Sequence, residues 1–421
     1  MAVTTNTKAT LDTMFKRSVA DKVNKLMPTS SVIQKLYPSL EAKAKLGREY
    51  LCPVALTFEH GITYGDDTAF LLNAPVAGVY AEAKLSSAPV ILRSQVSQSA
   101  ANRLANDDKA FLSWAGLRAE IMKTSLAKRA ELSMLYGGSG LATVASVSGQ
   151  TITISAATFS GATWGGMETA SIDIWAPTGN TRRLSGQTAL PGVPANSYEV
   201  QSVDPTARTI TVVGTLTGVT AGDVIWLAGS RDAASGNVIE MLGMDAICRN
   251  TGSLFGINAT TYQLWRAGSY NVGGAITFGH ILKAAAIPVV RGGAEGEAIL
   301  FISPDKYETL NSDYSAYRAT DASYKAGKGI NGVESLEFHY QAGMINIMPH
   351  PFCNPGDGFL FNKDSFQRIG ATDLTFDTNV NGEGEFFLPL ANNAGYELRC
   401  QYDFSLFCNS PAKVVKLTNI A

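Results

Sequence analysis

Residues 106–138 read NDDKAFLSWAGLRAEIMKTSLAKRAELSMLYGG, and no other stretch constrains the fold as strongly. Asn106 or Asp107 can cap a helix, acidic groups open it, Lys123, Lys128 and Arg129 follow later, and Gly137 ends it. About thirty residues rising 1.5 Å each make a helix of roughly 45 Å, more than twice the mean length. Phe111, Ala115, Met122, Leu126 and Ala130 give it an apolar stripe, which points to core rather than to a cofactor site.

Upstream of this helix the pattern is extended. REYLCPVALTF (48–58) runs out and VYAEAKLSSAPVILRSQVSQSA (79–100) comes back around the polar YGDDTAFLLNAP (64–75). This predicts one long two-stranded excursion. A lone hairpin is marginal in water, so another surface, such as a second subunit, must support it. Within CPVALTFEHGITYG (52–65) the carboxylate of Glu59 adjoins the imidazole of His60. Neighbours on a strand leave opposite faces, so the pair reads as a hairpin broken at Gly61 and not as acid–base chemistry.

Further upstream, Met14 or Phe15, Val19, Val23 and Leu26 recur at helical spacing until Pro28 stops the pattern. Such a short amphipathic arm needs a surface to pack on. The first fifty residues hold nine Lys or Arg against four Asp or Glu, a net +5 that leaves −7 for the rest. Two readings fit this excess: a solvated helix face, or contact with nucleic acid or an acidic partner.

Downstream the composition changes. Between residues 139 and 236 TITISAAT, SIDIWAP, SYEVQSV, RTITVVGT and DVIWLAGS alternate with GQ, PTGN, DPTA and TAGD turns, which predicts an all-β module. Glycine-rich punctuation at both ends is what an insertion into a host domain would show. From Asn237 onward the pattern mixes ITFGHILKAAAI and DKYETLNSD helices with EAILFISP, GMINIMPHP, GDGFLFN and the terminal YELRCQYDFSLFCNSPAKVVKLTNI strands. The whole therefore reads as an α+β protein of two to three domains, as 421 residues suggest.

Only 17% of residues are charged, below the usual quarter, so the surface is weakly charged. The five cysteines (Cys52, Cys248, Cys353, Cys400, Cys408) are scattered without a C-x-x-C, which argues for reduced thiols in a cytosolic setting. The N-terminus lacks the apolar segment of a signal peptide, and no apolar run is long enough to cross a bilayer.

Catalytic and ligand-binding patterns do not assemble. His60, His280, His339 and His350 have no partner at ligand spacing, and His350 with Cys353 falls short of the three or four ligands a metal requires. Around KAGKGIN (325–331) the position five before Gly327 is Ala322, so the phosphate-loop spacing fails, and Ser139 lacks the second glycine of a nucleophile elbow. Basic and aromatic residues are not interleaved as on a single-strand nucleic-acid platform. The reading is a building block with no catalytic residue, no cofactor and no metal; an enzyme with an unrecognised site is an alternative.

The order of these elements resembles the major capsid (coat) protein of tailed bacteriophages, a fold shared with the floor of herpesvirus capsids. LDTMFKRSVADKVNKLMP looks like that family's N-terminal arm, GREYLCPVALTFEHGITY like the start of its E-loop, and the helix ending MLYGG like its spine helix. SLFGINATTYQLW, FISPDKYETLNSD and SLFCNSPAKVVKLTNI look like parts of its axial and peripheral domains. The resemblance implies an arm over 1–47, an E-loop over 48–103, a spine helix over 104–137 and an all-β insertion domain over 138–236. An axial domain with parts of the peripheral domain follows over 237–390, and peripheral strands over 391–421.

It implies further that Phe58, Glu59, His60, Tyr64, Tyr80, Glu82 and Lys84 contact a neighbouring subunit, Glu59 and His60 on the first E-loop strand. Lys16, Arg17, Lys22 and Lys25 would face the interior. Expected partners are further copies of the chain in hexamers and pentamers, a separate scaffolding protein, a portal protein and packaged DNA held without sequence preference, with no membrane. The expected location is the virion capsid, after assembly in the host cytoplasm; the alternative within this setting is another repeating virion component (tail or decoration protein).

Overall fold

The computed structural model describes residues 31–37, 49–67, 69–99, 108–186, 195–311, 336–376, 388–390 and 393–421. The expected helix of the arm, Lys16, Arg17, Lys22 and Lys25, the cap at Asn106 or Asp107 and the 325–331 glycines lie outside them, as do the side chains of Phe111 and Ala115. The chain opens with α1 (Val32–Leu36), β1 (Tyr50–Ala55), β2 (Tyr80–Leu85), β3 (Pro89–Ser97) and the long helix α2 (Asp108–Tyr136). Six strands of a barrel follow: β4 (Ala142–Ser148), β5 (Thr151–Ile154), β6 (Ser171–Trp175), β8 (Tyr198–Asp204), β9 (Thr209–Val213) and β10 (Val224–Leu227). The short helix α3 (Gly161–Trp164) and the two-residue β7 (Arg182–Arg183) fall between them.

The barrel closes because β10 pairs with β4 at one end of the strand order and with β6 at the other, while β7 extends β6 outward. β4 is a strand that the sequence pattern did not single out. Alternation at period two sends Ile152, Ile154, Ile172, Ile174, Val200, Ile210 and Val212 into a filled interior with Trp164 and Tyr198. The chain enters and leaves this barrel at one point: the Gly243 N–H donates to the Gly137 carbonyl at 2.8 Å. A Cβ on Gly137 would stand 2.3 Å from the Met241 carbonyl oxygen, so only glycine lets the two backbones pass.

Apart from the β1–β2 ladder and one further two-stranded hairpin, the remaining strands form two larger sheets. After α4 (Met244–Ile247) and the β11–β12 hairpin (Ser253–Leu254, Ile257–Asn258) come β13 (Gly268–Gly274), α5 (Phe278–Gly292), β14 (Gly296–Ile302) and α6 (Pro304–Asn311). β15 (Leu336–Tyr340), β16 (Gly343–Pro349), β17 (Gly358–Asn362), β18 (Phe366–Phe376), β19 (Leu388–Pro389), β20 (Gly395–Cys408) and β21 (Val414–Ile420) complete the chain. One sheet has the order β13-β21-β17-β14-β16-β15. Its run AILFI is apolar throughout because both faces are covered: Ile299 and Phe301 join the core around α2, while Ala298, Leu300 and Ile302 meet α5. α5 runs through Pro288 to Gly292, beyond the expected stop near Ile287, and Gly293 ends it in the left-handed region. The second sheet is built on β20, with β18 and β19 along one edge and β3 along the other.

Two expectations need correction. The returning arm of the excursion does not pair with the outgoing arm over its length: β1 pairs β2 from Tyr50–Leu85 to Ala55–Tyr80, whereas β3 turns away after Leu85 to pair with residues 395–403. A period-two pattern cannot say which partner a strand takes. Glu59 and His60 are not on a strand either, since β1 ends at Ala55. The third difference concerns α2. Met122, Leu126 and Ala130 form the expected stripe, but from Ala130 to Gly138 every residue is buried, Glu131 included.

Candidate functional site

Residues 56–67 and 69–79 leave the β1–β2 ladder as two extended segments without regular strand structure. They are held side by side by Leu56 N–H to the Val79 carbonyl (2.8 Å) and His60 N–H to the Val76 carbonyl (3.1 Å). Asn73 fastens the tip: its N–H donates to Thr63 Oγ1 and its Nδ2 to the Ile62 carbonyl, at 2.8 and 2.9 Å. With the backbone fixed this way, large apolar side chains stand in solvent. Phe58 is 75% exposed, Tyr64 90% and Leu71 94%, and Ile62, Phe70, Leu72, Val76 and Tyr80 are exposed as well. Such a concentration on one excursion of the chain is unlike the scattered apolar residues of ordinary surfaces.

The ladder below it has two unlike faces. Tyr50, Cys52, Val54, Ala81, Ala83 and Leu85 turn to the core, with the Tyr50 ring edge-on to Phe407 at 5.3 Å. Tyr80, Glu82 and Lys84 form one exposed row opposite Ala55, Pro53 and Leu51. Seven residues read as contact residues, Phe58, Glu59, His60, Tyr64, Tyr80, Glu82 and Lys84, are therefore all exposed on this one loop. Glu59 and His60 share neither a hydrogen bond nor an ion pair, as expected for chain neighbours.

A second constellation was not legible in advance. Glu131, in the enclosed end of α2, is fully buried and accepts three N–H groups: Ile33 at 2.6 Å, Gln34 at 3.3 Å and His350 Nε2 at 3.1 Å. The Phe352 N–H donates to His350 Nδ1 at 3.2 Å, so the ring hydrogen lies on Nε2 and points at the carboxylate. Its two backbone partners open α1, so Glu131 docks the segment 31–37 onto the body. Gln34 Nε2 adds a bond to the Ala127 carbonyl (2.8 Å) and Tyr37 Oη one to the Lys363 carbonyl (2.9 Å). Burial raises the Tyr37 phenol far above its usual range. His350, dismissed from sequence as lacking a partner, finds one 219 positions away. The available signal was Glu131 itself, a lone carboxylate in the apolar run AELSMLY.

The barrel is fastened to the same region. Ser160 Oγ donates to the Pro351 carbonyl (2.6 Å), Gly356 N–H to the Ala157 carbonyl (2.9 Å) and Lys128 Nζ to the Gly165 carbonyl (2.8 Å). Burial pushes the Lys128 ammonium down to about 8, with Glu168 opposing the shift. All five cysteines are free thiols, and no group of three or more metal-ligating side chains occurs among the described residues. No described helix is long and apolar enough to cross a membrane.

No family model matches the sequence, and no curated protein sequence does. Among solved structures, a chain of the cyanophage A-1(L) capsid asymmetric unit superposes with a TM-score of 0.56 at 10% identity, over 99% of each chain. A chain from Mycobacterium phage Adephagia gives 0.46 at 12% identity over 99% of this chain and 98% of that one. The capsid of a native GTA particle gives 0.47 at 9% over all of both. The first of these carries the assignment: the two chains share an architecture from end to end, and this protein has the α+β fold of that cyanophage capsid chain.

Proposed function

We propose that this chain is a major capsid protein, which assembles in many copies into an icosahedral shell around the double-stranded DNA of a tailed bacteriophage. The observation that carries this reading is the fold shared along 99% of both chains with a cyanophage capsid subunit. The bare apolar loop supports it, because a face of that kind becomes stable when a neighbouring copy covers it. Each subunit then contributes several modest contacts, and closure of the shell multiplies them. The protein works by repetition and not by catalysis.

In this reading residues 48–103 form the E-loop, with Phe58, Glu59, His60, Tyr64, Tyr80, Glu82 and Lys84 against the neighbouring subunit. Residues 104–137 are the spine helix, 138–236 the insertion domain, 237–390 the axial domain with parts of the peripheral domain, and 391–421 the closing strands. The basic arm over 1–47, with Lys16, Arg17, Lys22 and Lys25, faces a scaffolding protein first and packaged DNA later. A portal protein occupies one vertex. The subunits gather in the host cytoplasm and remain in the virion.

Sedimentation velocity tests the contact role directly. Phe58→Asp with Tyr64→Asp places two charges at exposed positions that take no part in the subunit's own core. The variant subunit is expected to fold with unchanged circular dichroism and thermal midpoint, and to lose the large assemblies formed by the unaltered protein. Assemblies of unchanged size and yield would remove the loop from the contact.

A further inference from the structure

The turn between β16 and β17, residues 350–357, is bonded to α2 on one side and to the barrel on the other. On the α2 side a single carboxylate oxygen, Glu131 Oε1, accepts both the Ile33 N–H at 2.6 Å and His350 Nε2 at 3.1 Å, while Oε2 accepts the Gln34 N–H at 3.3 Å. His350 carries the constraint into the turn, because its Nδ1 accepts the Phe352 N–H at 3.2 Å and its carbonyl the Cys353 N–H at 3.0 Å. Tyr136 Oη, near the end of α2, accepts the Asn354 N–H at 2.8 Å. On the barrel side the Pro351 carbonyl accepts Ser160 Oγ at 2.6 Å, and the Gly356 N–H donates to the Ala157 carbonyl at 2.9 Å. A Cβ on Gly356 would stand 2.8 Å from Ala157 Cβ, so barrel and turn meet at backbone distance.

The arm segment 31–37 and the barrel therefore share an anchor. Ile33 is fully buried in the same apolar cluster as Phe352 and Cys353. When 31–37 lifts away, Glu131 loses two of its three N–H partners, and a carboxylate buried with one donor is costly until water reaches it. Water that solvates Glu131 competes with His350 at the shared oxygen. The ring is then no longer fixed against the Phe352 N–H, and the turn loses the order that presents Pro351 and Gly356 to the barrel. Linkage runs both ways: a turn displaced from the barrel side withdraws His350 from Glu131 and weakens the hold on the arm. Hydrogen bonds joined in one buried network support one another, which gives the coupling its sign.

We propose that the 350–357 turn is a coupling device, through which the seating of the arm segment and the seating of the barrel stabilise each other. A partner that draws the arm off the body loosens the barrel, and one that bears on the barrel loosens the arm. The coupling belongs to the single subunit and does not depend on any role in assembly.

Residue-resolved hydrogen exchange on the full-length subunit tests the coupling from both ends. Ser160→Ala and Gly356→Ala disturb the barrel side alone, and exchange at the Ile33 and Gln34 amides is expected to rise about five-fold or more. Ser160→Ala removes one hydrogen bond and keeps the test available where Gly356→Ala does not fold. Gln34→Ala with Tyr37→Phe loosens the arm alone, by removing its bonds to the Ala127 and Lys363 carbonyls, and exchange at the Gly356 amide is expected to rise by a like factor. The Ile299 and Leu300 amides of β14 are expected to keep the parent's rates throughout. Unchanged Ile33 and Gln34 rates in the folded barrel-side variants would overturn the coupling, and so would an unchanged Gly356 rate when the arm is loosened. A rise shared equally by the β14 amides would be global loosening and would overturn it as well.

Discussion

Truncating Glu131 to alanine would strand the buried N–H groups of Ile33 and His350 and remove the partner of the half-buried Gln34 N–H. Each buried donor left without a partner costs about 1–3 kcal/mol, so Glu131→Ala is expected to lower subunit stability by about 3 kcal/mol or more in chemical denaturation. Hydrogen exchange at the Ile33 and Gln34 amides should rise with it; unchanged protection there would show that the arm is held elsewhere. Lys128 gives a titration with a defined sign. Its folded value of about 8 lies below the ordinary 10.5, so the unfolded chain binds more protons between those values and stability rises with pH across that window. Comparing Lys128→Met with the parent isolates the effect: the parent should gain stability relative to the variant from pH 8 to 10.5, and a flat difference would refute the assignment. Lys128 does not declare itself in sequence, and Glu131 does so only as a lone carboxylate in an apolar run. A single acid or base on a helix reads as solvent-facing until the tertiary enclosure is known, and His350 lies too far along the chain for spacing to pair it with Glu131.

The long helix was the most legible element, because its capping, charge order and terminal glycine all agree along one continuous stretch. Its glycines now separate by role. Gly137 sits where two backbones cross, with Met241 and Ser133 carbonyl oxygens 2.3 and 2.4 Å from any added Cβ, whereas Gly116 meets nothing within 4 Å in mid-helix. Gly137→Ala is expected to destabilise the subunit by several kcal/mol or to prevent folding, and Gly116→Ala to stabilise it by about 1 kcal/mol. Thermal unfolding of the two variants side by side checks both signs; a tolerated alanine at 137 would mean that the barrel is not joined at this crossing. The strands were legible as strands but not as partners. β3 alternates as a hairpin arm would, yet its ladder is with β20, some three hundred residues later. Closure of the barrel through β10 and β6 pairs Val224 with Trp175 and Leu227 with Ile172, also beyond the reach of a local pattern.

At the scale of the molecule, the order of segments carried more information than any motif: arm, long loop, long helix, inserted strands, mixed sheets. The architecture as a whole is shared at 10% identity with the cyanophage chain, since a fold follows more from which faces must be covered than from particular side chains. What the order cannot give is the source of cover for the loop around Tyr64 and Leu71, both at least 90% exposed in the single subunit. The account supplies a second copy of the chain. Negative-stain electron microscopy of the purified full-length protein, expressed alone and together with its neighbouring genes, tests this most directly. Closed shells, tubes or partial shells of repeating subunits are the predicted result; a monomer or small oligomer under both conditions would contradict it.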